Sequence, residues 1–287
     1  MESARRDWTL GSTVLALMLT LSLAVLPAAA QQQGDKDFTP QVGQVGKDVI
    51  WVPTPSELVE KMLQMARITP GDFVIDLGSG DGRIAIAAAK KFGARSMGVE
   101  YNPDMVALSN REAQRQGVAD KVKFVKADIF ETDFSQATII TMYLLPDLNL
   151  KLRPKILEQK PGTRVVAHQF NMGEWQPDES ASLDNRLAHL WIVPVQVGGN
   201  WALRVEGNSQ DRPLSLRQSF QMLTGQLNGA GATLELSDAR LRGDQVSFTV
   251  IDGAVRRDFS GRVQGKSMEG TVRAAGSPDL RWSASLR

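Results

Sequence analysis

Residues 74–86 read VIDLGSGDGRIAI, and this stretch decides the fold of the chain. Apolar residues surround Asp76 in a run that is typical of a buried parallel strand. Three glycines then turn the chain into the apolar helix IAIAAAKKF: Gly78, Gly80 and Gly82. A strand, a glycine loop and a helix N-terminus bring backbone N–H groups close to a ligand. Because the loop carries Asp76 and Asp81 and lacks a phosphate-loop lysine, it favours a cationic or hydroxyl-rich ligand.

Two further predicted strands end in residues that suit a nucleoside. The strand SMGVEYNP places Glu100 at its carboxyl end, followed by Asn102, and an acid at this point can accept hydrogen bonds from both ribose hydroxyls. The strand KVKFVKADIF ends in Asp128 and Ile129, an acid for an exocyclic adenine amine beside an apolar cover for the ring. A fourth predicted strand, ATIITMYLL, leads to Tyr143.

These motifs identify a resemblance. DLGSGDG resembles motif I of the class I S-adenosylmethionine-dependent methyltransferases. VPTPSELVEKML, GVEYNP and QFNMGEWQPD are similar to the lysine methyltransferases of the mitochondrial ATP-synthase-c and adenine-nucleotide-translocase family and its bacterial relatives, over about residues 49–180. The resemblance implies S-adenosyl-L-methionine as cofactor, with Glu100 and Asn102 at the ribose and Asp128 and Ile129 at the adenine. It implies that the methionine part is lined by Asp76, Gly78, Ser79, Gly80 and Gly82.

The residues that would bind the methyl acceptor are predicted less directly than those of the cofactor site. Tyr143 is the candidate catalytic residue, and Trp51, Thr54 and Tyr143 are predicted to line a substrate channel. A lysine acceptor must lose its proton, either by desolvation or to a nearby base. His168 and Trp175 are predicted to be interior residues rather than a base and a lid. The chain has no cysteine and 2 histidines, so we predict no metal site.

Strands and helices alternate from residue 49 onward, which predicts a Rossmann-like, doubly wound sheet over residues 49–197. Short alternating segments separated by tight glycine turns follow, and they predict a small antiparallel β-barrel or sandwich over residues 198–287. One alternative pairs LAHLWIVPV with NWALRV as the last hairpin of the catalytic sheet. Trp201 would then belong to that sheet, and the boundary would move to about residue 208.

The N-terminal residues are typical of export. Arg5 and Arg6 precede an apolar run of about fourteen residues and an Ala-rich cleavage site, which predicts a bacterial signal peptide over residues 1–30. We expect a periplasmic or secreted protein with a flexible linker over residues 31–48. The alternative is an uncleaved signal that anchors the chain to the membrane.

The net charge of the chain limits the kinds of molecule that it is expected to bind. The 33 Lys and Arg against 32 Asp and Glu give a formal net charge of +1, which does not favour nucleic acid. The sequence therefore predicts an exported S-adenosylmethionine-dependent methyltransferase acting on a protein or small-molecule acceptor, with protein lysine preferred. The alternatives are a small-molecule methyltransferase and a non-catalytic S-adenosylmethionine-binding sensor that acts through the β module. Turnover would separate the enzyme from the sensor.

Overall fold

The computed structural model describes residues 38–229 and 231–287. The predicted signal peptide (residues 1–30) and residues 31–37 of the predicted linker lie outside the described residues. Within the described ranges, no helix is long and apolar enough to cross a membrane.

The first part of the described chain alternates strands and helices in the predicted order. Its elements are α1 (Ser56–Met65), β1 (Phe73–Leu77), α2 (Arg83–Phe92), β2 (Arg95–Glu100), α3 (Pro103–Arg115), β3 (Val122–Lys126), β4 (Ile139–Met142), α4 (Pro146–Leu157), β5 (Arg164–His168), β6 (Glu179–Leu183) and β7 (Arg186–Ile192). The strand β1 is buried almost throughout, as expected for a central parallel strand. The helices α1 and α2 each bury one apolar stripe against the sheet.

The strands form a seven-stranded sheet in the order β3-β2-β1-β4-β5-β7-β6. The five strands β1 to β5 are parallel, and β7 runs antiparallel to β5. The carboxyl ends of the parallel strands therefore meet at one edge of the sheet. Strand order reverses beside β1, and such a point opens a crevice for a ligand. The predicted Rossmann-like class I methyltransferase fold is confirmed.

The last hairpin of this sheet differs from the alternative that the sequence allowed. It pairs β6 with β7 through a two-residue turn, in which Asp184 and Asn185 have φ of 49° and 60°. Two successive residues with positive φ make the turn type that matches the twist of a hairpin, and Asp and Asn tolerate it. The pairing of LAHLWIVPV with NWALRV is therefore wrong. Trp201 lies in the second sheet.

The rest of the chain forms a closed antiparallel β-barrel of eight strands, with one further short strand at its edge. The strands are β8 (Gly199–Val205), β9 (Arg212–Ser219), β10 (Met222–Asn228), β11 (Thr233–Glu235), β12 (Ser237–Arg242), β13 (Gln245–Asp252), β14 (Val255–Gln264), β15 (Ser267–Ala274) and β16 (Leu280–Leu286). Closure occurs because β9 pairs with both β8 and β10, while the short β11 lies beside β10 at the edge. Aromatic side chains fill the interior: Trp201, Phe248, Phe259 and Trp282. The predicted barrel or sandwich is a barrel.

The barrel and the methyltransferase sheet belong to one compact unit, Asp37–Arg287. The Val195 N–H donates to the Gly243 carbonyl at 2.9 Å, just before β8 begins. Arg242 on β12 donates to the carboxylate of Glu179 on β6 at 2.6 Å. The predicted boundary near residue 198 falls between β7 and β8, and independent folding of the two parts stays a prediction.

Candidate active site

A cavity of about 340 Å3 lies at the carboxyl ends of the parallel strands. It brings together all but one of the predicted site residues: Trp51, Thr54, Asp76, Gly78, Ser79, Gly80, Glu100, Asn102, Asp128, Ile129 and Tyr143. The exception is Gly82, which is the N-cap of α2. Residues from five separate segments of the chain thus meet at the edge where the sheet topology predicts a ligand.

The glycine loop adopts a backbone that other residues would strain. Gly80 and Gly82 have φ of 53° and 79°. A Cβ atom at Gly80 would lie 2.6 Å from the indole nitrogen of Trp51, and one at Gly82 would lie 2.5 Å from the ring of Phe124. The absence of side chains at these two positions therefore allows both the turn and the close packing of the loop. The N–H groups of Gly78 and Ser79 both donate to the Val99 carbonyl, at 2.9 Å and 3.0 Å, and the Gly82 N–H donates to the Ser79 carbonyl at 2.8 Å, so hydrogen bonds within the protein hold the loop in this shape.

Asp76 is the most strongly perturbed group in the cavity. Its carboxylate is 2% exposed and accepts a hydrogen bond from the Thr141 hydroxyl at 2.6 Å. Burial raises the pKa of Asp76 to about 7, and the nearby carboxylates of Asp81 and Glu100 act in the same direction. A positive charge on a ligand would relieve this concentration of acidic groups.

Glu100 joins the glycine loop to the end of β2. Its carboxylate accepts from the Gly80 N–H at 2.9 Å with one oxygen and from the Asn102 N–H at 2.9 Å with the other. Two backbone donors hold the carboxylate at the rim of the cavity, where its free lone pairs are available to hydroxyl groups. The Asn102 side chain accepts from the Asp104 N–H at 2.8 Å and so caps α3. Asn102 thus has a structural role besides the predicted contact with the ribose.

Asp128 carries a contact that the sequence did not predict. One carboxylate oxygen accepts from the Phe130 N–H at 2.9 Å, and the other lies 2.5 Å from the ammonium of Lys47. The hydrogen bond from Lys47 lowers the pKa of Asp128. The Lys47 ammonium also lies 4.8 Å from the ring centre of Tyr101. Lys47 belongs to the predicted flexible linker, and no sequence signal indicated its partner.

Residues 41–52, which we call the strap, form a small hairpin over the cavity. The Gly43 N–H donates to the Trp51 carbonyl, and the Trp51 N–H donates to the Gln44 carbonyl, both at 2.9 Å. A bridge joins Val45 and Ile50. Part of the strap lies within residues 38–48, which therefore differ from the predicted flexible linker. The difference arises because backbone hydrogen bonds and the Lys47 ion pair hold a segment that is polar in composition.

An aromatic wall forms the other end of the cavity. The rings of Tyr143 and His168 lie 3.8 Å apart between centres, and Phe170 lies 6.2 Å from Tyr143. The Thr54 hydroxyl lies 3.0 Å from the Nδ1 atom of His168, so the entering segment is tied to the end of β5. Burial lowers the pKa of His168 to about 4, with a further contribution from Arg186. His168 is therefore neutral at physiological pH.

His168 and Phe170 contribute to this wall although the sequence argument did not place them there. His168 is buried, as predicted, yet its ring packs against the candidate residue Tyr143. Phe170 follows β5 directly and lines the cavity. The rule that found Glu100 and Asp128, which examines the residues just after each parallel strand, would also have found Phe170. Trp175 is fully buried, in agreement with its predicted interior position.

The residues present fit S-adenosylmethionine. The Ser79 hydroxyl is buried and has no hydrogen-bond partner among the described residues, so it can bond a polar ligand group. The buried Asp76 carboxyl suits a cationic sulfonium. Each oxygen of the Glu100 carboxylate accepts one backbone hydrogen bond and can accept another from a hydroxyl group. The fold and this site define a class I S-adenosylmethionine-dependent methyltransferase.

Comparisons with known proteins agree with this class. Residues 76–179 match the ANTKMT methyltransferase domain. The protein-lysine N-methyltransferase of Saccharolobus islandicus (strain REY15A) is 40% identical over 151 residues, which are 50% of this chain and 94% of that protein. The human ATP-synthase-c lysine N-methyltransferase is 39% identical over 129 residues, 45% of this chain, and the match spans 54% of the human protein.

A solved structure is similar as well. It is described as an RNA methyltransferase from Salinibacter ruber in complex with S-adenosyl-L-homocysteine. It is 48% identical, with a TM-score of 0.50, and the match covers 51% of this chain and 96% of that chain. The chain belongs to the ANTKMT methyltransferase family of S-adenosylmethionine-dependent enzymes. Its cofactor is S-adenosyl-L-methionine.

Proposed function

We propose that this methyltransferase transfers methyl groups to the side-chain amine of lysine in a protein. The aromatic wall carries the proposal. Tyr143 and Phe170 line the cavity on the side of β4 and β5, whereas Glu100 and Asp128 lie on the side of β2 and β3. The neutral ring of His168 packs against Tyr143, so the aromatic wall carries no fixed charge. A lysine side chain presents an apolar stem and an amine, and both suit such a surface.

The chain's own residues have defined tasks in this reaction. The bound cofactor supplies an activated methyl group on a sulfonium. Asp76 and Glu100 line the cavity and would hold the positively charged ligand there. The aromatic wall would exclude water from the acceptor ammonium, which lowers the pKa of that group and favours the reactive amine. The bond between Thr54 and His168 fixes the wall, and Tyr143 lines the approach. Alignment of the amine with the methyl group then provides most of the acceleration.

The names of the relatives support lysine as the methyl acceptor and also indicate RNA as the main alternative acceptor. The relatives from Saccharolobus islandicus and human are a protein-lysine and an ATP-synthase-c lysine N-methyltransferase, whereas the Salinibacter ruber structure is described as an RNA methyltransferase. The net charge of +1 gives this chain no excess positive charge with which to attract RNA.

The acceptor class can be tested by label transfer. The purified protein would be incubated with S-adenosylmethionine labelled in its methyl group and with a bacterial envelope extract. We expect label that is removed by protease, resists ribonuclease and is recovered as methyl-lysine after hydrolysis. Glu57→Ala, an exposed change on α1, serves as the active control, and Glu100→Ala as the binding-deficient one. Label in RNA or in a small molecule would replace lysine as the acceptor, and cofactor binding without transfer would favour a sensor.

We extend the proposal to export. The Arg5-Arg6 pair, the apolar run and the Ala-rich site up to Ala30 support a periplasmic or secreted protein. N-terminal sequencing of the protein from its native cells should give Gln31 as the first residue. An intact N-terminus on membrane-bound protein would instead support an anchor.

A further inference from the structure

Residues 169–177, which we call the β5 loop, connect the aromatic wall with the barrel. Near its beginning, Phe170 lines the cavity. Near its end, the Gln176 carbonyl accepts a hydrogen bond from the side-chain amide of Gln221 on the barrel at 2.7 Å. Between them, Trp175 is fully buried, and its carbonyl accepts from the indole N–H of Trp191 on β7 at 2.7 Å. The same loop thus contacts the acceptor end of the site and the barrel.

A barrel residue completes the packing of this loop. Phe220 lies at the turn between β9 and β10, and its ring stacks on that of Trp175 with 6.0 Å between centres and 12° between planes. Phe220 packs against the apolar core of the methyltransferase sheet rather than the core of the barrel. The guanidinium of Arg153 on α4 lies 5.4 Å from the Phe220 ring centre and donates to the Met172 carbonyl at 2.9 Å. Phe220 therefore contacts both the β5 loop and the helix beside it.

The turn that carries Phe220 has a strained backbone conformation. Phe220 has φ of 54°, a left-handed conformation that non-glycine residues rarely adopt. The side chain of Gln218 donates to the carbonyls of both Phe220 and Val195, at 2.8 Å and 2.9 Å, and so fixes the turn to the segment before β8. Strain of this kind persists where the surroundings determine it, and it often marks a position with a task.

We propose that Phe220 is a positioning residue for the acceptor: the barrel holds the β5 loop through Phe220 and thereby fixes Phe170 against Tyr143. The identity of the acceptor amine rests on the proposed function. In the Saccharolobus islandicus relative, the matched 151 residues are 94% of the protein, which leaves no length for a barrel of this size. The barrel is thus an addition in this chain relative to that protein, and its contacts with the β5 loop support a role in shaping the acceptor end.

The test compares Phe220→Ala with Phe220→Tyr and with Met222→Ala, a matched control whose side chain is 55% exposed on the same hairpin. The full chain would be used, with poly-L-lysine as acceptor and calorimetry of S-adenosylhomocysteine binding. Phe220→Ala should raise the KM for poly-L-lysine by about three- to tenfold, the loss expected for one aromatic stack, with the Kd for S-adenosylhomocysteine nearly unchanged. Phe220→Tyr should restore the KM, and Met222→Ala should match the unaltered protein.

Other results have defined meanings. An unchanged KM for poly-L-lysine in Phe220→Ala would overturn the inference. An equal rise in this KM and in the Kd for S-adenosylhomocysteine would also overturn it, because it would indicate general damage to the protein. If the unaltered protein does not methylate poly-L-lysine, the failure concerns the acceptor class. Hydrogen exchange then decides the inference: Phe220→Ala should lose protection in the β5 loop but not in residues 73–82. An unchanged β5 loop would overturn the positioning role.

Discussion

The two ends of the cavity differ in the residues that line them and in the contacts that hold those residues in place. The end proposed to bind the cofactor, which we call the cofactor end, carries the carboxylates of Asp76, Glu100 and Asp128, each of which lies at or near the carboxyl end of a parallel strand. The end proposed to bind the acceptor, which we call the acceptor end, has aromatic rings whose positions depend on contacts between distant segments, such as Thr54 with His168. The cofactor end is thus fixed by local sequence, whereas the acceptor end is fixed by tertiary packing and, through Phe220, by the barrel.

This difference predicts that the two ends can be damaged separately. Changes at the cofactor end should weaken the binding of S-adenosylmethionine and S-adenosylhomocysteine. Changes at the acceptor end should reduce methyl transfer while cofactor binding persists. Loss of cofactor binding after a change at the acceptor end would show that the two ends are coupled more tightly than their contacts indicate.

The largest effect is expected at the glycine loop. Gly82→Ala would place a Cβ atom 2.5 Å from Phe124 and 2.9 Å from the Cβ of Ser109, at a φ of 79°. Strain and overpacking together should lower the free energy of unfolding by about 2–4 kcal/mol, and cofactor binding should be lost. Denaturant unfolding and calorimetry would measure both.

Gly117→Ala is the matched control for that change. Gly117 has φ of 70°, but its Cβ would meet nothing within 4 Å. Only the backbone strain remains, which costs about 1 kcal/mol, and cofactor affinity should be retained. Equal losses in the two variants would show that packing at Gly82 is unimportant.

Glu100→Ala tests the cofactor end without a steric clash. The change removes the acceptor for the N–H groups of Gly80 and Asn102 and the predicted acceptor for the ribose. Binding of S-adenosylmethionine should weaken by about 1–3 kcal/mol, or about five- to 150-fold in Kd. Calorimetry measures the change, with Glu57→Ala as control. An unaltered Kd would remove Glu100 from the cofactor site.

Tyr143→Ala is the corresponding change at the acceptor end. The ring packs against His168 and Phe170, so its removal should open the aromatic wall. A misplaced acceptor lowers kcat/KM for methyl transfer by about ten- to hundredfold, while the Kd for S-adenosylhomocysteine should stay close to that of the unaltered protein. Loss of cofactor binding in this variant would contradict the separation of the two ends.

The same contrast explains what the sequence could predict. Asp76, Glu100 and Asp128 are recognisable because each lies at or near the carboxyl end of an apolar strand in the sequence, and parallel strands bring their carboxyl ends together. The structure places all three at one cavity, and their binding roles remain predictions. The sheet and the barrel were likewise accessible from apolar periodicity, and the buried position of Trp175 was predicted from its place just beyond the fifth strand.

Contacts between distant segments were not accessible in this way. Lys47 lies 81 residues from Asp128, and Thr54 lies 114 residues from His168, so no periodicity or spacing relates the partners. The stack of Phe220 on Trp175 depends on where the barrel lies against the sheet. A polar composition also made the strap resemble a linker, although its backbone hydrogen bonds form a hairpin.

A pH dependence provides a further test of the cofactor end. Because burial raises the pKa of Asp76 to about 7, this carboxyl is largely neutral below that pH and ionised above it. The affinity for cationic S-adenosylmethionine should therefore rise with pH through about 7, by at most about tenfold per pH unit. S-adenosylhomocysteine lacks the sulfonium charge and should show a weaker dependence, and Asp76→Asn should flatten the curve for S-adenosylmethionine.

The stability of the cofactor-free protein should have the opposite trend. The folded pKa of Asp76 lies above its unfolded value of 3.8, so the folded state binds more protons between the two values. The contribution of Asp76 to the free energy of unfolding should consequently fall as the pH rises from about 4 to about 7. Denaturant unfolding of the unaltered protein and of Asp76→Asn would isolate this contribution. Parallel pH profiles in the two proteins would contradict the assignment of the raised pKa to Asp76.

The smallest effect is expected at the strap, where the two ends of the cavity share a cover. Lys47→Met removes the ion pair with Asp128 and the contact with Tyr101, while Trp51 and the backbone bonds of the hairpin remain. Since exposed ion pairs contribute little, dissociation of S-adenosylhomocysteine should accelerate by only about two- to threefold. Stopped-flow measurement at low and high salt would detect it, because salt should accelerate dissociation from the unaltered protein but not from Lys47→Met. Lys47→Arg keeps the charge and should behave like the unaltered protein. Slower dissociation in Lys47→Met would mean that Lys47 competes with the adenine for Asp128 rather than holding the strap over it.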